Sequence, residues 1–132
     1  MNRREVLEYC LSYAGAYEDY PFDQGPGPES WTAVRHTENK KIFALIYERR
    51  GTLCVNLKCD PQTSDFFRSV FPWVTPGYHM NHIHWNTLWL DGREDVAAVW
   101  EMIGESYRLT SPKRKKQLTN EKTRNIIAHK IK

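Results

Sequence analysis

The amino-acid sequence predicts an α+β domain: an antiparallel sheet, made of a meander plus a later strand, flanked by about three helices. Three observations carry this expectation. Residues 3–14 and 94–106 repeat apolar side chains at helical spacing. Between residues 31 and 57, three strand-like runs are joined by turns too short for a parallel crossover. A further helical run and a further strand then follow, so the order is helix, strands, helix, strand, helix rather than the alternation of a doubly wound sheet.

In the first helix Val6, Leu7, Cys10, Leu11 and Ala14 share a face, with Asn2 as N-cap and an end near Gly15. Glu18 to Phe22 and the run Gly25-Pro26-Gly27-Pro28 are expected to form a loop. Strands are predicted over 31–36, 41–47 and 52–57, with Glu48-Arg49-Arg50-Gly51 as a tight turn. Asp60-Pro61 reads as N-cap and first residue of a helix reaching about Val70, anchored by Phe66, Phe67 and Val70. Residues 84–90 alternate Trp85, Thr87 and Trp89 against Asn86, Leu88 and Leu90, as a strand does. The last helix spans roughly Glu94 to Ser106 and uses Val96, Val99, Trp100 and Ile103. Residues 1–110 form the expected domain and residues 111–132 a basic tail, with a short helix conceivable from Asn120 to His129.

A length of 132 residues suits one core, and the 40% hydrophobic and 27% charged content is that of an ordinary globular chain. No apolar run approaches the roughly 18 residues of a membrane span. The charged start Asn2-Arg3-Arg4-Glu5 is unlike a secretory leader. Cys10, Cys54 and Cys59 are odd in number and lack a CxxC spacing, so reduced thiols in a cytoplasmic protein are expected. The net charge of +3 conceals an asymmetry: residues 111–132 carry +7 and the remainder −4. A basic arm on a mildly acidic body suits an anionic partner.

No catalytic constellation emerges, and no enzyme activity or cofactor is expected. The cysteines have no neighbouring base in sequence, neither Ser30 nor Ser106 lies in a Gly-x-Ser-x-Gly elbow, and no phosphate-binding glycine loop is present. Glu18 and Asp19 read as exposed loop charges. His79, His82 and His84 invite a divalent metal such as zinc, but no fourth ligand is evident and no metal is assigned. The basic pairs Lys40-Lys41 and Arg49-Arg50 sit at successive turns of the meander, and Lys113-Arg114-Lys115-Lys116 opens the tail. These eight side chains are the candidate contacts to nucleic-acid phosphates.

Several stretches together resemble the MmcQ/YjbR family of small bacterial proteins. Glu18-x-Tyr20-Pro21-Phe22 is similar to its early motif, and Lys41-Ile42-Phe43-Ala44-Leu45 to its Lys-x-Phe-Ala strand. Its most distinctive block resembles Pro76-Gly77-Tyr78-His79-Met80-Asn81 followed by His84-Trp85. Ser106-Tyr107-Arg108-Leu109 resembles the end of its last helix. The resemblance spans about residues 3–115 and implies a CyaY-like, double-wing fold, for which DNA binding is commonly inferred by analogy. His82 stands where the family often has Lys, and the basic tail exceeds the family core. The central block also has an architectural reading, with Pro76-Gly77 reversing the chain, Tyr78 and Trp85 anchoring it, and Asn81 bonding loop backbone. The leading expectation is therefore DNA binding through the sheet turns and tail. A protein-interaction module, chaperone-like or adaptor, is the alternative, and a metal or small-ligand binder using the three histidines a further one.

Overall fold

The computed structural model describes residues 1–22 and 31–113. The Gly25–Pro28 run, Arg114 to Lys116 and the helix expected over 120–129 lie outside the described residues. Three helices, α1 (Arg3–Leu11), α2 (Pro61–Val70) and α3 (Val96–Thr110), accompany one six-stranded antiparallel sheet. Its strands are β1 (Ala16–Asp19), β2 (Thr32–His36), β3 (Ile42–Arg49), β4 (Thr52–Lys58), β5 (Val74–Pro76) and β6 (Trp85–Leu90), in spatial order β1-β2-β3-β4-β6-β5. No described helix is long and apolar enough to cross a membrane.

Local chemistry accounts for the element ends. Asn2 Oδ1 accepts from the Glu5 amide at 2.9 Å while the Glu5 carboxylate accepts from the Asn2 amide at 3.1 Å, a reciprocal capping box that starts α1. Asp60 accepts from the Gln62 amide at 3.0 Å, and Pro61 loses nothing at the first helical position, where its absent N–H has no intrahelical partner. Between β3 and β4, Arg50 and Gly51 both adopt positive φ (54° and 75°), the backbone that a two-residue hairpin requires to match strand twist.

All three helices lie on one face of the sheet. Val6 and Cys10 of α1, Val99 and Ile103 of α3, and sheet residues Phe43, Ile46, Val55, Leu57 and Leu88 form the main core. Aromatic pairs tie α1 and the turn after it to α3: Tyr9 of α1 stacks on Trp100 with centroids 4.1 Å apart, and Tyr13 of the turn on Tyr107 at 4.6 Å. The opposite face carries no helix among the described residues. There Ala33, Leu45, Tyr47 and Cys54 form a second, smaller cluster capped by Trp31, Tyr78, Met80 and Trp89.

Several expectations need correction. Glu18 and Asp19 are not loop but end β1, an edge strand paired with β2 from Ala16 opposite His36 to Asp19 opposite Ala33. Asp19 is consequently not a free loop charge but pairs with Arg35 at 2.8 Å, and Glu18 accepts the Tyr20 hydroxyl. β5 also went unforeseen. Phe66 and Val70 do not anchor α2, being 58% and 49% exposed; Ser64, Phe67 and Arg68 hold it to the sheet instead. Helix α3 starts at Val96, itself 45% exposed, and continues past Ser106 to Thr110. Ala14 lies beyond α1 and is exposed. Ser111, placed in the tail by charge, is the buried C-cap of α3 and donates to the Tyr107 carbonyl at 2.6 Å.

Candidate nucleic-acid interface on the open sheet face

The block from Pro76 to Trp85 begins with a close approach. Gly77 donates its amide to the Trp85 carbonyl at 2.9 Å, and a Cβ at this position would lie 2.8 Å from Trp85 Cβ. Only glycine lets the two chains meet. The following residue is bolted to the open face: the Tyr78 amide donates to Thr87 Oγ1 and its carbonyl accepts from Asn56 Nδ2, both at 2.9 Å. Asn56 Oδ1 in turn accepts from the Tyr47 hydroxyl at 2.7 Å and from Thr87 Oγ1 at 2.6 Å. These buried groups satisfy one another, as buried polar groups must. From the helical side, Arg68 donates to the carbonyls of His82 and Trp85. Asn81 Oδ1 accepts from the Ile83 amide at 2.8 Å and the Asn81 carbonyl from the Trp85 amide at 3.0 Å, closing the loop.

The clamped loop presents an aromatic and cationic surface. Trp31 lies flat on Tyr47, with centroids 4.0 Å apart and planes within 4°. The Arg49 guanidinium sits 3.7 Å from the Tyr78 ring centroid and 5.7 Å from that of Trp89. Stacking occupies the guanidinium face and leaves edge N–H groups as donors. The Lys40 ammonium lies 5.3 Å over the Tyr17 ring. Between these cations is a groove of about 550 Å³ lined by Phe22, Trp31, Ile42, Leu45, His79 and Met80, with Arg35 on its wall. Arg35 is committed, giving Nε–H to Asp19 and an Nη1–H to the Lys40 carbonyl at 2.8 Å each.

The expected phosphate contacts do not form one stripe. Lys40-Lys41 and Arg49-Arg50 stand at opposite ends of β3, roughly 25–30 Å apart at the rise of an extended strand. Lys113 joins the first group: Asn39 Nδ2 donates to the Thr110 carbonyl at 2.9 Å, and the His36 ring meets Thr110 Oγ1 at 2.7 Å, so the end of α3 lies against the β2–β3 turn. The histidines are not brought together either. His79, His82 and His84 are all exposed, and among the described residues no group of histidine, cysteine or carboxylate side chains is arranged to hold a metal. His79 adopts a left-handed backbone (φ 60°) and packs on Tyr78, with ring centroids 3.9 Å apart.

The remaining motif residues hold the fold. Ser106 Oγ donates to the Phe43 carbonyl at 2.6 Å and accepts from the Lys58 amide at 2.9 Å, bridging α3 to β3 and β4. The Tyr107 hydroxyl donates to the Ala14 carbonyl at 2.6 Å. Burial pushes the thiols up, Cys10 and Cys59 to about 12 and Cys54 to about 11, so none is a ready nucleophile. Sequence reasoning missed Phe22, Trp31, Tyr47 and Trp89 as parts of one surface. The available signal was the unbroken apolar run 42–47, in which both faces of a strand carry large side chains.

Geometry defines the class first: a single antiparallel sheet, helices on one face, and on the other an aromatic platform flanked by cations. The sequence pattern of the YjbR family matches residues 11–109, and the chain belongs to that family. It is similar to the uncharacterized protein YyaQ of Bacillus subtilis, 29% identical over 120 residues, which span 83% of this chain and 98% of that protein. To the uncharacterized protein YjbR of Escherichia coli K12 it is 28% identical over 108 residues, 82% of this chain and 86% of the relative. A crystal structure from Pseudomonas syringae superposes with a TM-score of 0.73 at 26% identity, covering 84% of this chain and 100% of that one. One from Deinococcus radiodurans gives 0.70 at 28%, covering 83% and 78%.

Proposed function

We propose that this chain is a non-enzymatic, cytoplasmic DNA-binding protein that receives the phosphate backbone across the open face of its sheet, with the basic tail adding charge. The observation that carries this reading is an aromatic sheet face, bare of helices among the described residues, with the Lys40-Lys41 turn at one end and Arg49-Arg50 at the other, and with Lys113 near the first turn at the end of α3. No carboxylate among the described residues lies within salt-bridge distance of these five cations. Contacts of this kind position a nucleic acid without reading sequence. The test is anisotropy of labelled single-stranded and duplex 20-mers over a salt series. The reading expects affinity to fall steeply with salt, and the K40Q/K41Q variant to flatten the slope for duplex by roughly 0.9 per lost phosphate contact. Absence of binding to either probe at low salt overturns it.

A protein partner is the second reading, favoured by one observation: α2 leaves Phe66 58% and Val70 49% exposed on its outer side. Capture of a partner that survives nuclease treatment and is lost in Phe66→Ala supports this reading over the first.

A further inference from the structure

The groove beside Trp31 is unexplained by the fold. Phe22 is large, apolar and 58% exposed, yet it stands perpendicular to Trp31, with planes at 89° and centroids 5.8 Å apart. Trp31 is immobilised from behind by its stack on Tyr47, which is fully buried and held by Asn56. The result is a rigid aromatic step facing a groove of about 550 Å³, within the roughly 300–1,000 Å³ of small-ligand sites. Ile42, Leu45 and Met80 make it apolar, and no carboxylate lines it among the described residues. His79 borders it with a left-handed backbone, a conformation that non-glycine residues hold only where the surroundings impose it.

We infer that this groove takes one unpaired base of a single-stranded nucleic acid, stacked among Phe22, Trp31 and His79, and the inference rests on the nucleic-acid reading above. Charge decides the occupant. On one side the Lys40 carbonyl is bonded to Arg35 of the groove wall, which places the Lys40 backbone beside the site. On the other, Arg49 lies over Tyr78, whose ring is 6.2 Å from Trp31. A strand with a base in the groove therefore runs toward a cation at each end, the two being several nucleotides apart, an arrangement complementary to a polyanion carrying flat rings. Arg35 gives two of its five N–H groups to Asp19 and the Lys40 carbonyl, and apart from His79 the other described lining residues are aromatic or aliphatic. Recognition then relies on stacking, which tolerates any base.

Three 20-mer probes separate the parts of this argument: oligothymidylate, an abasic strand of the same length, and a duplex. They are titrated against the full chain and against Phe22→Ala, an exposed change whose fold is checked by circular dichroism. The full chain is expected to bind oligothymidylate about tenfold or more tighter than the abasic strand. Phe22→Ala is expected to lose about fivefold or more on oligothymidylate and under twofold on the other two probes, since base–aromatic stacking is worth roughly 1–3 kcal/mol per base. Equal affinity for oligothymidylate and the abasic strand, or a Phe22→Ala effect that is absent or uniform across probes, overturns the base site while leaving phosphate binding intact. Failure to bind any probe overturns both.

Discussion

Replacing Gly77 with alanine tests the architecture of the loop that carries the site. The perturbation is steric: Gly77 has no left-handed backbone requirement, but a new methyl would stand 2.8 Å from Trp85 Cβ and 2.9 Å from the Trp85 carbonyl oxygen. Neither atom is the free end of a flexible side chain, so β6 and the loop must separate. Overpacking of this kind costs roughly 1–3 kcal/mol. The Gly77 amide bond to Trp85, 2.9 Å long, lengthens in the process and gives up roughly 1 kcal/mol more. A total of about 2–4 kcal/mol is a large part of the stability of a domain this size, typically about 5–15 kcal/mol. The melting temperature should drop by roughly 10–20 °C. Urea unfolding followed by tryptophan fluorescence measures it, with Gly51→Ala as comparison: that glycine has positive φ (+75°) and nothing within 4 Å of a new Cβ, so its cost is backbone strain alone. A loss below about 0.5 kcal/mol for Gly77→Ala would refute the steric argument.

Other expectations follow from single contacts. Ser106→Ala leaves the buried Phe43 carbonyl and Lys58 amide without their shared partner, and urea unfolding should show a loss of about 1–3 kcal/mol with DNA affinity unchanged. Arg50→Asn suits the left-handed backbone better (φ 54°), so it should hold or raise stability by a few tenths of a kcal/mol while removing one cation; lowered affinity in that more stable variant separates charge from fold. The three thiols should resist Ellman's reagent at pH 8 in the native protein and all react in denaturing urea. Because burial raises the thiols from 9.0 to about 11–12, the folded state binds protons that the unfolded state has released, so stability is full below pH 9 and declines as pH rises toward 11–12; alkaline urea titrations check the sign.

Features encoded within a few residues were legible in the sequence. The Asn2 and Asp60 caps, the turn at Arg50-Gly51 and the alternation of β6 each depend on near neighbours, and the structure has them where their chemistry implies. β1 was not legible, because Ala16-Tyr17-Glu18-Asp19 has no strand periodicity of its own and is ordered by pairing with β2 and by the Asp19–Arg35 ion pair. The attachment of α2 was misread for a related reason. Of its three apolar candidates only Phe67 packs on the core, and Ser64 and Arg68 hold the helix through Asn86 of β6, a contact between distant segments. Of the site, the cations and their places at successive turns, hence at the two ends of β3, were visible, but not the rings they lie over. The stacking of Arg49 on Tyr78 depends on which face each strand presents, and the bulge between Val34 and Arg35 shifts that alternation.

The most direct test of the claim that the open sheet face binds nucleic acid uses the tryptophan indole N–H signals in a ¹H–¹⁵N spectrum. Trp31 and Trp89 lie on that face, while Trp73 is buried in the main core and Trp100 stacks on Tyr9 among the helices. On titration with a single-stranded 20-mer, the Trp31 and Trp89 signals should shift together and saturate with binding, while those of Trp73 and Trp100 stay in place. Saturation with Trp31 and Trp89 unmoved, or with Trp100 moving in their stead, contradicts the account.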